Sequence, residues 1–295
     1  MRALMSLPLK YKRTFGKRQF RFVLRAMSAV FWLGPWRALA IRFFQWRDCN
    51  PRLPQGCNSM FPEVNVASHV VALNANGFAA GPQLSQDRVD ELLSICSDTT
   101  VSHYDNPHVY CAVLRELILD PFVLAVARQY LGAEPRLYQT LLYWTFPPTD
   151  EQSQESKRVE KSRFHYDVGD FKSLQLFCYL TDVDAHSGPH VVILGTHKPK
   201  SWLRMMRRFL DDRNAELRFG SRIHTVLGKC GTIFFEDTVC YHKHSYGEKP
   251  RLMLRVTFVL QRRSRTALLP EVVQCTTEEL PPLVANSDVN LGRTT

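Results

Sequence analysis

The 295-residue chain contains no run of about 18 or more apolar residues, which excludes a polytopic membrane protein. Its eight cysteines include no CxxC pair, so the spacing of a structural zinc site is missing. They are scattered, several inside apolar runs such as Cys178 in LQLFCYL, where a free thiol behaves as a small hydrophobe. That usage suits a reducing compartment. Acidic residues are almost missing from the first 48 positions, where Asp48 stands against eleven Lys and Arg. The other 247 residues carry 27 basic and 27 acidic side chains, so the net charge of +10 belongs to the N-terminal stretch. The neutral body lacks the clustered basic charge of a nucleic-acid-binding domain, and no nucleic-acid partner is expected. At 45% hydrophobic and 11% aromatic residues, the chain as a whole is not disordered.

Residues 17–33 (KRQFRFVLRAMSAVFWL) place Arg18, Arg21 and Arg25 on one side of a helix and Phe20, Val23, Leu24, Met27 and Phe31 on another. Gly34-Pro35 breaks this helix, and WRALAIRFFQWRD then repeats the mixture of aromatics and arginines. Three readings suit this basic segment, residues 1–48. Its helices pack on the body, or residues 17–47 lie on an anionic membrane surface, or it is a targeting sequence. A targeting sequence would be mitochondrial, or secretory with Ala38-Leu39-Ala40 as the cleavage site. The expected location is cytoplasmic and peripheral to a membrane, with mitochondria as the alternative.

Residues 49–69 hold several prolines and read as a linker, and 63–83 as short apolar pieces with turn residues. Ser85 precedes the short amphipathic helix QDRVDELLSIC. A clearer helix has Asp120 as its cap, Pro121 in its first turn and Gly132 as its stop. Short, turn-bounded segments rich in β-branched and aromatic residues follow at 136–146, 172–181, 191–194, 222–227, 231–235 and 252–260. A helix is expected at 201–218, a polar surface loop at 149–163 and a frayed tail at 276–295. Helices followed by many short strands suggest a mainly β fold with flanking helices (α+β), a helix-buttressed β-sandwich or jelly roll. Residues 263–295 form a C-terminal extension.

The chemistry sits first in Phe164-His165-Tyr166-Asp167. On an extended segment, residues i and i+2 share a face, so His165 and Asp167 can offer an imidazole nitrogen and a carboxylate oxygen to one ion. After the strand GTIFFE, the segment DTVCYHKH supplies a third ligand, either His242 or His244. Two histidines and a carboxylate on one face of a metal suit Fe(II) and leave positions open for a chelating 2-keto acid and dioxygen. Arg251, in KPRLMLRV, is suited to grip the distal carboxylate of 2-oxoglutarate. His103, His108, His190 and His224 have no evident partners in the sequence.

The order of these motifs, with FCYLTDVDAHSGPHVVILGTHK between them and DPFVLAVARQYLG before them, is similar to the phytanoyl-CoA dioxygenase family of Fe(II)/2-oxoglutarate oxygenases. The likeness covers roughly 70–262 and implies a double-stranded β-helix or jelly roll over that range. It implies His165, Asp167 and His242 as metal ligands, with His244 as the fallback. It also implies Arg251 and Gln139 as co-substrate residues, with Arg255 as the alternative to Arg251. Tyr166 would point away from the ligands, and His190, after Gly188-Pro189, is expected to be a loop residue, with pocket lining as the alternative. The cofactors implied are Fe(II), 2-oxoglutarate and O2. Related halogenating enzymes lack the carboxylate, so Asp167 argues for hydroxylation of a C–H bond, with release of succinate and CO2. The basic aromatic N-terminus suggests a small or lipid-linked substrate. Epimerisation or ring closure on the same site is a second reading, and an inactive jelly-roll binding protein docked at a membrane is a third.

Overall fold

The computed structural model describes residues 34–47, 58–94, 96, 103–147, 163–198, 200, 205, 208–245 and 247–260. The expected helix at 17–33, all but the last residue of the loop at 149–163 and the extension at 263–295 lie outside them. The described chain forms two antiparallel sheets. The larger has the order β1 (Phe78–Gln83), β9 (Thr232–Glu236), β5 (Ser173–Tyr179), β11 (Arg251–Val259), β3 (Arg136–Thr145), β2 (His103–Asp105). The smaller has the order β7 (Phe209–Leu210), β4 (Phe164–His165), β10 (His242–His244), β6 (His190–Ile193), β8 (Ile223–Val226). The helices are α1 (Arg37–Arg47), α2 (Val66–Asn76), α3 (Gln86–Ser94), α4 (Ala112–Leu119), α5 (Pro121–Leu131) and α6 (Asp212–Phe219). With α2–α5 packed against the larger of the two facing antiparallel sheets and α1 and α6 against the smaller, the chain makes the expected double-stranded β-helix with α+β character.

Strand alternation assigns each side chain to a layer. On the larger sheet Leu174, Leu176, Leu252, Leu254, Val256 and Phe258 bury one face against Leu114, Leu117, Phe122 and Val126 of α4 and α5. The alternate residues Phe177, Tyr179, Phe234 and Met253 turn inward and meet Val192 of the smaller sheet. β11 is buried at nearly every position because both its faces are covered. The outer face of the smaller sheet buries Phe164, Tyr166, Val191, Ile193 and Tyr241.

α5 starts where expected. Asp120 accepts from the N–H groups of Phe122 and Val123, and Gly132 closes the helix in the left-handed region (φ 75°). Asp120 also accepts from Ser59 Oγ and the Met60 N–H, which ties residues 58–61, inside the stretch read as a linker, to the body. α2 is a helix where short irregular pieces were expected. Asn65 caps it, and Gly77 ends it with φ 71°. A Cβ at Gly77 would stand 2.5 Å from Cys240 Sγ, so only glycine allows this close approach. The helix expected at 201–218 is interrupted: Met205 is helical, residues 209–210 pair as β7, and α6 begins at Asp212 behind its cap Asp211, while 201–204, 206 and 207 lie outside the described residues. Phe209 and Leu210 pair with β4, and this long-range contact overrides local helix propensity.

α1 packs one face on the body. Ala40, Ile41 and Phe44 lie against the smaller sheet's outer cluster, and Phe44 stacks on Phe171 with ring centroids 6.0 Å apart. Arg37 donates to the Phe171 carbonyl, and Gln45 donates to the Leu131 carbonyl at the end of α5. The described cysteines Cys96, Cys111, Cys178, Cys230 and Cys240 are all free thiols.

Candidate metal centre

His165 ends β4 and His242 begins β10, and the two are register partners in an antiparallel pair. Directly opposed residues point to the same side of a sheet, and here the ring centroids are 4.5 Å apart. Asp167 follows two residues after His165, its backbone N–H held at 2.7 Å by the Thr238 carbonyl. Its Oδ2 lies 3.8 Å from His242 Nε2. One ligand atom from each of His165, Asp167 and His242 lies within 4.8 Å of the other two, a separation that suits donors around a single ion.

The turn that delivers His242 is built by Asp237. Its carboxylate accepts from the Val239 N–H (3.0 Å) and from Tyr130 Oη (2.7 Å), while its carbonyl accepts from the Cys240 N–H (2.8 Å). His242 Nδ1 then sits 3.0 Å from the Cys240 carbonyl, which directs that nitrogen's proton away from the triad and leaves Nε2 as the donor atom. His165 Nδ1 is similarly 3.2 Å from the Arg163 carbonyl. Burial would raise the Asp167 carboxyl, but His242, His165, Arg255 and Arg208 together hold it below its ordinary value. Burial pushes the His242 imidazole down despite Glu236 and Asp167. An ionised carboxylate beside neutral imidazole is the state a divalent ion needs. The Asp167 side chain is 41% exposed and that of His242 only 5%, so the centre opens on the aspartate side.

Two buried residues stand behind His242: Glu236, which the sequence did not single out, and His190, which was expected in a loop. His190 is not a loop residue: it opens β6, faces inward and is fully buried. Its Nε2 is 2.6 Å from Glu236 Oε2, and the other carboxyl oxygen of Glu236 lies 3.6 Å from His242 Nδ1. Burial pushes Glu236 up to about 8 and His190 down to about 3, so at neutral pH a protonated acid donates to a neutral imidazole and no ion pair forms. The alternation of His190 with Val192 in HVVI was the available signal for an inward histidine. Tyr166 points outward as expected, fully buried, with its hydroxyl donating to the Met205 carbonyl.

His244 faces inward as well, but it stands beside Arg251 (3.5 Å) and His190, outside the triad. The Arg251 side chain is fully buried. It donates to the Gly188 carbonyl and, at 3.5 Å, to Thr145 Oγ1, while its Nε has no partner. Among the described residues no carboxylate lies within 4.0 Å of it. A buried guanidinium without an anion within reach is costly. Gln139 does not join it. Its register partner on β11 is Thr257, six positions from Arg251, and its side chain bonds Asp105 (3.0 Å) and Arg255 (3.4 Å). Gln139 and Arg255 instead line a cavity of about 260 Å³ with Asp167, Gln175, Arg208 and Thr238. A larger cavity, about 510 Å³ and lined in part by Gly195, Lys198 and Arg222, includes none of the triad.

No family model matches the sequence, and no curated protein does. Solved structures match the fold. The apoform of EctD from S. alaskensis aligns at a TM-score of 0.50 and 19% identity, over 75% of this chain and 92% of that one. The epimerase SnoN from nogalamycin biosynthesis, described as non-heme and alpha ketoglutarate dependent, aligns at 0.50 and 15% identity, over 66% of this chain and 82% of that one. This chain has their fold. SnoN has also been solved with Fe3+, alpha ketoglutarate and nogalamycin RO.

Proposed function

We propose that the protein is an Fe(II)- and 2-oxoglutarate-dependent oxygenase of the phytanoyl-CoA dioxygenase type, which hydroxylates a C–H bond of a small or lipid-linked metabolite. The observation that carries this reading is the convergence of His165, Asp167 and His242 from facing strands. The fit to a divalent ion is chemical as well as spatial, because the protein holds the carboxylate ionised and both outward imidazole nitrogens available. The fit to a 2-keto diacid rests on Arg251, whose buried charge lacks an anion. Bound there, ferrous iron with 2-oxoglutarate and dioxygen supplies an oxidant for a substrate C–H bond, the co-substrate leaving as succinate and CO2. The chain's own residues hold and orient these groups. Arg251 grips the distal carboxylate, the Cys240 carbonyl fixes the His242 ring through Nδ1, and Phe177, Tyr179 and Phe234 keep water from the interior.

The test is succinate release from protein loaded anaerobically with Fe(II) and 2-oxoglutarate and then given oxygen. The wild type should release succinate and His165→Ala should not. Equal release from both sinks the iron site.

Among the described residues no helix is long and apolar enough to cross a membrane. We propose that the basic segment acts at a membrane surface, because α1 turns Leu39, Phe43 and Trp46 outward at 70%, 54% and 74% exposure.

A further inference from the structure

The cavity of about 260 Å³ beside Asp167 is the open side of the candidate centre. Two guanidiniums from different elements line it: Arg255 from the middle of β11 and Arg208 from just before β7. The Nε of Arg255 is buried without a partner, and its only described hydrogen bond is a long one, 3.4 Å, to the Gln139 amide oxygen. Arg208 uses Nε on the Tyr166 carbonyl at 3.1 Å. Among the described residues no carboxylate oxygen lies within 4.0 Å of either guanidinium. Besides the carboxylates of Asp167 and Asp170, the remaining polar wall is neutral and includes the amides of Gln139 and Gln175 and the hydroxyls of Thr238 and Thr257.

We infer that Arg208 and Arg255 are an anion clamp for the organic substrate, which is a small molecule bearing one carboxylate or phosphate group. The inference rests on the oxygenase reading for its site and adds the substrate class. The charges of the lining support an anionic group. Two carboxylates line the cavity, Asp167 and Asp170, and Asp170 is turned into the protein, where it accepts from the Lys172 N–H. These are the only acidic groups of the described lining, and neither lies within 4.0 Å of the Arg208 or Arg255 guanidinium. The volume is at the small end of ligand sites, so the recognised part is compact. Arg251 lies four positions from Arg255 on the same strand, about 13 Å along it, far enough for one guanidinium to serve the co-substrate and the other the substrate.

The test uses full-length protein under nitrogen with Fe(II) and saturating 2-oxoglutarate. Binding of benzoate, phenyl phosphate and neutral benzamide is measured by calorimetry, and co-substrate binding by the visible charge-transfer band of the Fe(II) complex. At least one of the two anions should bind, the stronger one naming the group, and benzamide should not. Arg208→Gln and Arg255→Gln should each weaken that anion tenfold or more and keep the visible band, with Arg208→Lys and Arg255→Lys intermediate. Loss of the band should occur in Arg251→Gln. The clamp is overturned if neither anion binds, if benzamide binds equally well, or if both Gln variants keep wild-type anion affinity. It is also overturned if Arg255→Gln loses the band while Arg251→Gln keeps it. A wild type without any band defeats the oxygenase reading instead, and the calorimetric comparison then still decides the clamp.

Discussion

Arg251 shows how a single side chain divides the interior. Its charge is fully buried and bonded only to a carbonyl, a hydroxyl and an imidazole, a costly state unless an anion arrives. Arg251→Gln removes one charge-assisted pair and should weaken 2-oxoglutarate about 10- to 100-fold, with Fe(II) affinity nearly unchanged. A matched loss of iron would place Arg251 in the architecture of the triad. A second buried residue carries a pH dependence. His108, 2% exposed, has Nδ1 at 2.8 Å from Thr140 Oγ1, and burial followed by the Arg115 guanidinium pushes its imidazole down to about 4. Below the unfolded value near 6.5 the unfolded chain takes up a proton that the folded chain refuses, so stability falls as pH drops from 6.5 to 4. The loss is roughly 3 kcal/mol at full extent. His108→Asn should flatten that part of the curve of melting temperature against pH, and an unchanged slope would assign it to other groups. The triad was legible in the sequence because His165 and Asp167 obey the period of two. The supporting pair was not, since Glu236 and His190 are 46 positions apart and meet only through the pairing of their sheets.

Elements were legible where local chemistry and tertiary packing agree. α5 carries its own start and stop in Asp120, Pro121 and Gly132, and β5 and β11 read as strands because their apolar side chains alternate against two covered faces. The elements missed were those decided at long range. β1, β4 and β10 are short or glycine-bearing and exist as ladder partners of β9, of each other and of β6. β7 interrupts an otherwise helical stretch for the same reason. Asp120 joins the two kinds of information, because one carboxylate caps α5 and also anchors Ser59 and Met60 at 2.6–3.1 Å. Asp120→Ala should cost about 2 kcal/mol, read as a fall of roughly 4–8 °C in melting temperature. Asp120→Asn, which keeps an oxygen acceptor, should recover about half. A melting temperature within 1 °C of wild type for the alanine variant would mean that the anchor and the cap are both dispensable.

At the scale of the whole molecule the charge and the chemistry occupy different regions. The triad, Arg251 and the anion cavity lie between the sheets of a body whose charge is balanced, while the excess of +10 belongs to residues 1–48. α1 is the described joint between the two. Its inner face, with Ala40, Ile41 and Phe44, belongs to the body, so removing residues 1–47 should uncover Phe171 and destabilise the domain. Its outer face has no such duty: Leu39, Phe43 and Trp46 recur one turn apart beside the exposed Arg42. A bilayer surface with anionic lipid complements both the apolar stripe and the arginines, each basic residue near the surface adding about 1 kcal/mol. The full chain should therefore sediment with vesicles containing phosphatidylserine at low salt, and less as salt rises. Changing Leu39, Phe43 and Trp46 together to glutamate should abolish sedimentation without lowering the melting temperature, because these side chains touch solvent and not the core. Changing Ile41 and Phe44 should do the reverse at first order, by unseating the helix. Equal sedimentation of the wild type and the outer-face variant would remove α1 from the contact and leave the membrane role to the residues before it.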